Sequence, residues 1–386
     1  MQFAMMTSGP WIFCASLFLC ALMVSGGARY LLRAQDLKAV QAAHSAPTPR
    51  TGGVGVVLAL GLGFWLFAPE ALASMTGLFL LSLIPVFSVG VAEDLGAMMS
   101  PRRRLFAAAL SSVMVIVLLD VQVTQADVPG LDWALGFAGF GFFFTVLWMT
   151  GLCHATNLID GLNGLAAGSC ILTAMGIVLI AERSGDADLA TLAAMVIPAI
   201  LGFFVLNWPF GKVFLGDGGA YTLGHVLGWL GIFLLVRNPD IAGTAVGLLF
   251  FWPVADTFFA IYRRYRAGVR PDEPDRLHFH QLVMRALEIL VLGRKRRRVS
   301  NPLATVVLMP LVAAPIFTGV MLWDRPLAAL LAIGLFAVLF VSSYAAGMRL
   351  ARRATLTSKQ AFRRARDLRG GSMLADSDAA ALGVKN

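Results

Sequence analysis

The sequence predicts an all-α polytopic membrane protein with about eleven transmembrane helices, and three observations carry this prediction. Hydrophobic residues make up 58% of the 386 residues and charged residues only 14%, and the mean hydropathy is +0.77, outside the range of a soluble domain. Apolar runs of about 20 residues, the length that spans a bilayer, recur along the chain. Lysine and arginine are concentrated in alternate intervals between these runs. The same composition excludes disordered, collagen-like and coiled-coil classes.

The apolar runs are separated by short polar breaks or by Gly and Pro. The first run has no Lys or Arg before it and Arg29 after it, which favours an anchor helix over a cleaved signal peptide. The predicted spans are residues 10–29, 54–70, 73–92, 104–122, 131–152, 163–182, 189–207, 219–236, 241–262, 303–323 and 326–348.

The distribution of basic residues predicts the orientation. With the N-terminus outside and the C-terminus inside, 28 of the 31 Lys and Arg residues fall on the cytoplasmic side, leaving only Arg183, Arg237 and Arg325 outside. Topology therefore accounts for the net charge of +9, and we expect no nucleic-acid partner. Basic inner loops would also attract phosphate-bearing ligands. We expect a membrane domain over residues 1–348 and a basic cytoplasmic tail over residues 349–386.

Unusual polar residues fall only in the predicted inner loops. Four acidic residues (Glu93, Asp94, Asp160 and Asp217) lie at predicted span ends there, where carboxylates near hydrocarbon are costly and indicate function. Such oxygen ligands suit Mg²⁺ or Mn²⁺, whose coordination shell is completed by water and substrate phosphates. Basic side chains nearby would complement a diphosphate. The pattern predicts metal-dependent phosphoryl-type transfer at the cytoplasmic face.

Residue spacing supports this grouping. Asn157, Asp160 and Asn163 are three residues apart and would share one face if that segment were helical. Glycines flank Asp217 where a span begins, so that backbone N–H groups could approach phosphate oxygens. Two histidines without a cysteine or third histidine make a poor zinc site. The remaining polar candidates in the inner loops are Arg50, Lys212, Gly218, Asp256, Arg276, His278 and His280.

The motifs over 157–168 and 212–219, together with those at Pro49–Gly53 and Pro253–Thr257, resemble the polyprenyl-phosphate N-acetylhexosamine-1-phosphate transferases. This bacterial family, glycosyltransferase family 4, includes undecaprenyl-phosphate GlcNAc-1-phosphate transferase. The resemblance covers about residues 45–285, and the eleven-span layout is also similar.

The sequence departs from the family pattern at a few positions. The family's paired aspartates are Glu93 and Asp94 here, and the second aspartate of its Asp-Gly-x-Asp-Gly motif is Asn163. Gly218 replaces the usual Ser or Thr, and Gln281 replaces the third histidine of its His-x-His-His motif. These changes leave the roles of positions 93 and 163 open.

The resemblance implies roles for the candidate residues. Asp217 would be the principal metal ligand with Asp160 beside it, and Asp94 would orient the acceptor phosphate or take its proton. Glu93 would join the catalytic group. The expected substrate-binding residues are Arg50, Asn157, Asn163, Lys212, Gly218, Asp256, Arg276, His278 and His280.

The resemblance also implies the reaction and its setting. It is the transfer of N-acetylhexosamine-1-phosphate, with GlcNAc favoured, from a UDP-sugar to undecaprenyl phosphate, with release of UMP, at the bacterial inner membrane. The product would be the lipid-linked first intermediate of a cell-surface polysaccharide. The alternative enzyme is phospho-MurNAc-pentapeptide translocase. A secondary transporter is the rival from another class, disfavoured because transporter sites lie near the midplane between internal repeats. The sequence leaves open whether the chain forms a homodimer.

Overall fold

A computed structural model of the chain describes residues 2–27, 48–268, 277–292 and 296–349. Within these residues every regular element is helical and none is a strand, as predicted. The predicted tail from residue 350 onward lies outside this part of the chain. The helices of seven residues or more are Gln2–Leu22, Gly52–Phe67, Ala73–Asp94, Pro101–Leu119, Ala138–Leu158, Leu165–Ser184, Ala187–Ala194, Val196–Asn207, Gly216–Arg237, Gly243–Leu249, Phe251–Ala267, Phe279–Leu287, Arg297–Met321 and Pro326–Arg349.

The helices agree with a multi-pass membrane protein. In the described chain, eight segments are long and apolar enough to cross a bilayer, and a pair bent by 79° after Leu249 makes a ninth. Two other predicted spans are also helical. Gly52–Phe67 has only 16 residues, and Pro101–Leu119 has three arginines in its first turn. The count of eleven and the orientation stay predictions.

Helix Gly216–Arg237, the central helix, is enclosed by the rest of the protein. It is buried from Gly216 to Leu234 and packs against helices Ala138–Leu158, Ala73–Asp94 and Gly52–Phe67. Small residues permit this close contact, as is common between membrane helices.

Two glycine contacts bring the helices to the start of the central helix. A Cβ added to Gly219 would lie 2.6 Å from the Cα of Gly53, and one added to Gly90 would lie 2.5 Å from the Cα of Gly218. Any side chain at these crossings would force the helices apart. The glycines therefore set the approach of three helix ends to one place.

Helix Arg297–Met321 organises the other half of the structure. It packs against Leu165–Ser184, Gly243–Leu249 and Phe279–Leu287. Its first turns therefore reach the connections that carry the predicted site.

The outer faces of the helices are apolar and exposed. Phe143, Phe317 and Val338 are 62%, 67% and 64% exposed, which suits contact with lipid rather than water. Trp65 and Trp133 are 72% and 75% exposed and lie near helix ends, where tryptophan is enriched at membrane interfaces.

Candidate active site

Asp217 lies in the first turn of the central helix and joins three segments of the chain. Its Oδ1 accepts hydrogen bonds from Arg50 Nη2 at 3.1 Å and from Asn157 Nδ2 at 2.9 Å. Asp217 is only 7% exposed, and the acidic group near the positive end of a helix dipole is stabilised there. The structure thus brings together three of the residues predicted from sequence.

Asp94 ends its helix directly beneath this turn. Its two carboxylate oxygens each accept a backbone N–H, one from Asp217 and one from Gly218, both at 2.9 Å. Arg50 Nε lies 3.6 Å from Asp94 Oδ1. The carboxylate therefore binds N–H groups at a helix start, which have no partner within the helix itself, the arrangement that also binds phosphate.

Gly216 makes the close approach of these groups possible. Its φ is +73°, a conformation that favours glycine. A Cβ on this residue would lie 2.6 Å from Asp94 Oδ2 and would also collide with the carbonyl oxygen of Arg50. Any larger residue at position 216 would therefore collide with Asp94 and Arg50, in addition to straining the turn.

Glu93 and Arg104 form a second polar pair beside Asp217. Arg104 Nη1 donates to Glu93 Oε1 at 3.1 Å. Glu93 Oε2 and Arg104 Nε are both buried and have no hydrogen-bond partner in the described chain. The Glu93 carboxyl group also faces that of Asp217, and two such groups repel unless a proton or cation lies between them.

Tyr221 and His154 also lie near Asp217. Neither residue was predicted from the sequence. Their rings lie 4.9 Å apart, and the Tyr221 hydroxyl interacts with Arg104. The available signal was helical spacing, since Tyr221 follows Asp217 by four residues and so shares its face.

Asp160 lies in a turn, not in a helix. The preceding helix ends at Leu158 and the next begins at Leu165, with Gly164 at φ +79°. The predicted helical face through residues 157, 160 and 163 is therefore wrong, because glycines at 161 and 164 allow the chain to turn there.

The environment of Asp160 changes its acidity. Asp160 is half-buried, and burial raises the pKa of its carboxyl group to about 7, with Arg50 opposing and Asp217 reinforcing the shift. The Gly216 amide also donates to this carboxyl group. Asp160 therefore lies close enough to Asp217 for the two carboxyl groups to interact.

The histidines approach the site from a separate segment. A Cβ on Gly161 would meet the imidazole ring of His280, so this ring packs directly beside the Asp160 turn. The rings of His278 and His280 are stacked with centroids 5.7 Å apart. Arg276 lies outside the described residues.

Asp256 orients the histidine segment. Its Oδ2 is 2.9 Å from His278 Nδ1, and its Oδ1 accepts the Phe279 N–H at 3.1 Å. Asp256 is only 2% exposed. This geometry makes it a support for His278, whereas the sequence prediction placed it among the substrate-binding residues.

Asn163 and Lys212 differ from the clustered residues. Asn163 is 6% exposed, and its Nδ2 donates to the Pro209 carbonyl at 3.1 Å. Lys212 is exposed, with its Nζ 5.4 Å from the centre of the Phe210 ring. The Asn163 side chain therefore binds the backbone at Pro209. Lys212 makes a cation–π contact with Phe210.

The cluster fits a cation that needs few protein ligands. The described residues contain no group of three His, Cys, Asp or Glu arranged to hold a metal, but Mg²⁺ commonly uses one or two carboxylates with water and phosphate oxygens. The Glu93 carboxyl group faces Asp217, and its Oε2 is buried without a hydrogen-bond partner in the described residues. Asp217 and Glu93 are therefore the pair that would hold such a cation, with Asp160 nearby.

Comparison with known proteins covers the same region. Residues 76–235 match the model of the Glycosyl transferase family 4. This range contains Glu93, Asp94, Asp160 and Asp217 but ends before the histidine segment.

Curated relatives extend the match. A probable undecaprenyl-phosphate N-acetylglucosaminyl 1-phosphate transferase of Bacillus subtilis (strain 168) is 28% identical over 242 residues, covering 62% of this chain and 67% of the relative. The undecaprenyl-phosphate alpha-N-acetylglucosaminyl 1-phosphate transferase of Salmonella typhi is 29% identical over 253 residues, covering 63% and 67%. A decaprenyl-phosphate N-acetylglucosaminephosphotransferase of Mycolicibacterium smegmatis is 27% identical over 290 residues, covering 66% and 68%.

The motifs, the helix ends that carry them and the sequence matches all point to the same part of the chain. The resemblance predicted from the motifs is confirmed: residues 76–235 are similar to the Glycosyl transferase family 4 model, and the chain is similar to the N-acetylglucosaminyl 1-phosphate transferases named above.

Proposed function

We propose that the protein transfers N-acetylhexosamine-1-phosphate from a UDP-sugar to undecaprenyl phosphate. The donor we favour is UDP-GlcNAc, because the named relatives are N-acetylglucosaminyl 1-phosphate transferases. The products are UMP and a lipid-linked diphosphosugar, the first intermediate of a cell-surface polysaccharide. In this proposal the reaction takes place at the cytoplasmic face of the bacterial inner membrane.

The observation that carries the proposal is the arrangement around Asp217. An arginine, an amide and the N–H groups of a helix start converge on two buried carboxylates. Carboxylates of this kind suit a divalent cation whose remaining ligands are water and phosphate oxygens. It lies at one end of the central helix, whereas transporter sites lie near the membrane midplane.

The reaction balances without an added base. An oxygen of the lipid phosphate forms a bond to the sugar-side phosphorus, and the bond from that phosphorus to the bridging oxygen breaks. UMP leaves with the electron pair of the broken bond. The second pKa of a phosphate monoester is about 6, so at neutral pH the attacking phosphate is mostly dianionic and transfers no proton.

The carboxylates position the reactants. Asp217 and Glu93 would hold Mg²⁺ or Mn²⁺, with Asp160 as a further ligand directly or through water. When bound, a divalent cation would neutralise the negative charge that develops on the diphosphate. Asp94 holds the backbone of the Asp217 turn through both carboxylate oxygens, so its contribution is orientation of this turn and of the acceptor beside it.

Basic side chains complement the diphosphate. The guanidinium of Arg50 contacts Asp217 and Asp94 and its side chain is 40% exposed, so it can also reach a ligand from solvent. The His280 ring packs against Gly161 in the Asp160 turn, and Asp256 Oδ2 lies 2.9 Å from His278 Nδ1. We assign these histidines to the donor diphosphate.

The test is a radiolabelled donor panel with purified protein and undecaprenyl phosphate. We expect labelled lipid and stoichiometric UMP from UDP-GlcNAc in the presence of Mg²⁺, and none after chelation with EDTA. Product formed only from UDP-MurNAc-pentapeptide would instead support the translocase. Sugar-nucleotide uptake into proteoliposomes without any bond cleavage would support the transporter and overturn the enzyme assignment.

A further inference from the structure

We propose that Asn301 and Thr305 are positioning residues for the transfer reaction. They bind both backbone polar groups of Asn163 and thereby fix the turn that carries Asp160. This inference rests on the proposed function. Both residues lie on helix Arg297–Met321, beyond the region that matches the family model.

The contacts are short and buried. The Asn163 N–H donates to Asn301 Oδ1 at 2.8 Å, and Thr305 Oγ1 donates to the Asn163 carbonyl at 2.7 Å. Asn301 and Thr305 are 2% and 3% exposed. A buried peptide unit needs partners for both groups, and here side chains of one distant helix supply them.

Further hydrogen bonds hold the segment that follows Asn163 and the helix end packed against it. The Gly164 N–H donates to Asn207 Oδ1 at 2.6 Å, and Trp208 Nε1 donates to the Pro302 carbonyl at 3.3 Å. The end of the turn is therefore tied to two other helices. Asp160 lies only three residues before Asn163, so the turn has little freedom to move its carboxyl group.

The start of the same helix also holds the histidine segment. Ser300 Oγ donates to Glu288 Oε1 at 3.1 Å, and Glu288 directly follows helix Phe279–Leu287, which contains His280. The His280 ring in turn packs on Gly161. Residues 300–305 thus connect the Asp160 turn and the His280 helix, the two parts proposed to meet the cation and the donor.

The amide orientations follow from their partners. Asn163 Nδ2 faces a carbonyl oxygen and Asn301 Oδ1 faces an N–H group. These partners determine which amide atom is nitrogen and which is oxygen in each side chain. The atoms left over, Asn163 Oδ1 and Asn301 Nδ2, are buried without a partner in the described residues. The backbone of Asn163, and not its side chain, is therefore what Asn301 and Thr305 recognise.

The experiment compares two threonines of one helix. Thr305→Val removes the hydroxyl with little change of shape, and Thr305→Ser retains it. Thr318→Val is the matched control, because among the residues that the structure describes the Thr318 hydroxyl donates only to a carbonyl of its own helix, that of Ala314. For each purified variant we would measure kcat, the KM for both substrates and the thermal unfolding midpoint.

We expect Thr305→Val to lower kcat about tenfold, with both KM values within about twofold of wild type. Thr305→Ser should restore most of the rate, and Thr318→Val should be unchanged. A folded Thr305→Val protein with wild-type kcat would overturn the proposal, and so would one that fails to fold while Thr318→Val folds. If the wild-type protein itself makes no lipid-linked product, the proposed function fails before any variant is compared.

Discussion

The two ends of the central helix both carry buried carboxylates and arginines, but the groups are satisfied in different ways. At the Arg237 end, Asp186 accepts hydrogen bonds from Arg237 Nε at 2.7 Å and Nη2 at 3.0 Å. Asn238 Nδ2 and the Leu189 N–H donate to the same carboxylate at 3.2 Å and 3.1 Å. Both carboxylate oxygens of Asp186 therefore have structural partners.

At the Gly216 end, some buried polar atoms lack hydrogen-bond partners. Glu93 Oε2 and Arg104 Nε have no hydrogen-bond partner within the described residues, and the Glu93 carboxyl faces that of Asp217. Leaving buried polar groups unpaired costs free energy, so such a cluster is retained where a ligand completes it. Buried polar atoms without a partner are therefore a stronger sign of function than the presence of charged residues alone.

The largest expected difference between the two ends is in catalysis. Asp217→Asn should lower the transfer rate by at least about 10³-fold, or ~4 kcal/mol of barrier, because the amide cannot hold a cation as the carboxylate does. Asp186→Asn should stay within about twofold of wild type. Initial rates of lipid product at several Mg²⁺ concentrations check this, and added Mg²⁺ should not rescue Asp217→Asn. Normal activity in that variant would assign the cation to Asp160.

A labelling experiment tests whether the two ends face opposite sides of the membrane. Single cysteines at Met98 and Thr124, both exposed, would be introduced into a chain whose own four cysteines are replaced by alanine. An impermeant thiol reagent added to intact cells should label position 124 but not position 98. Permeabilised cells, in which both should react, are the control. Labelling of position 98 from outside would reverse the predicted orientation.

Glu93 tests whether the unpaired oxygen matters. Glu93→Gln should lower the rate about 10- to 100-fold and raise the Mg²⁺ concentration needed for half-maximal rate, since the amide removes a charge that faces Asp217. Titration of activity with Mg²⁺ measures both effects. An inert Glu93→Gln would remove Glu93 from the proposed cation site and leave Asp217 with Asp160.

The pH dependence of stability tests the opposite end. Burial alone would raise the pKa of Asp186, but hydrogen bonds from Arg237, Leu189 and Asn238 lower it overall. A lowered pKa means that the folded state favours the charged carboxylate, so its stabilisation is present above the unfolded pKa of about 3.9. It is lost as the pH falls through the lower folded value.

Asp186→Asn should therefore destabilise the protein by about 2 kcal/mol at neutral pH, between the values for exposed and buried pairs. Thermal unfolding of wild type and variant should differ by a constant amount between about pH 5.5 and 8. The difference should shrink below about pH 4. A difference that grows in acid would contradict this account.

The smallest expected effect is at Asn163, where relatives carry aspartate. Asn163→Asp should change the rate by less than about tenfold, or ~1.4 kcal/mol. The new carboxylate loses the bond to the Pro209 carbonyl, but Asn301 and Thr305 bind the backbone of residue 163 and would still hold the turn. Steady-state kinetics beside Asn163→Ala, which keeps these backbone bonds but has no polar side chain, would show whether the backbone contacts are sufficient. A much larger loss in Asn163→Asp would mean that the side chain itself contacts substrate.

The sequence was sufficient for features that depend on local pattern. Apolar length and the spacing of arginines predicted the helical class, and the motifs placed Asp217, Asp94 and Asn157 near one another, as the structure shows. The turn at Asp160 was harder to predict, because a three-residue spacing fits a helix unless the two glycines are weighed against it.

Contacts between distant segments could not be predicted in this way. Asn301 and Thr305 stand in an ordinary apolar helix, and nothing in their local sequence indicates that they bind the backbone of Asn163, 138 and 142 residues away. Arg104 was visible only as one of three consecutive arginines. Its role depends on the approach of two helices, which a single sequence does not encode as a pattern.

The enclosure of the central helix constrains how a lipid substrate can arrive. Residues Gly216–Leu234 are buried by neighbouring helices, so no acyl or prenyl chain can lie along this helix. We therefore expect the hydrocarbon of an acceptor to lie outside the helices that surround this one, with its phosphate towards Asp217. On this expectation the site would not select the length of the tail; the relatives described above are named for both undecaprenyl and decaprenyl carriers.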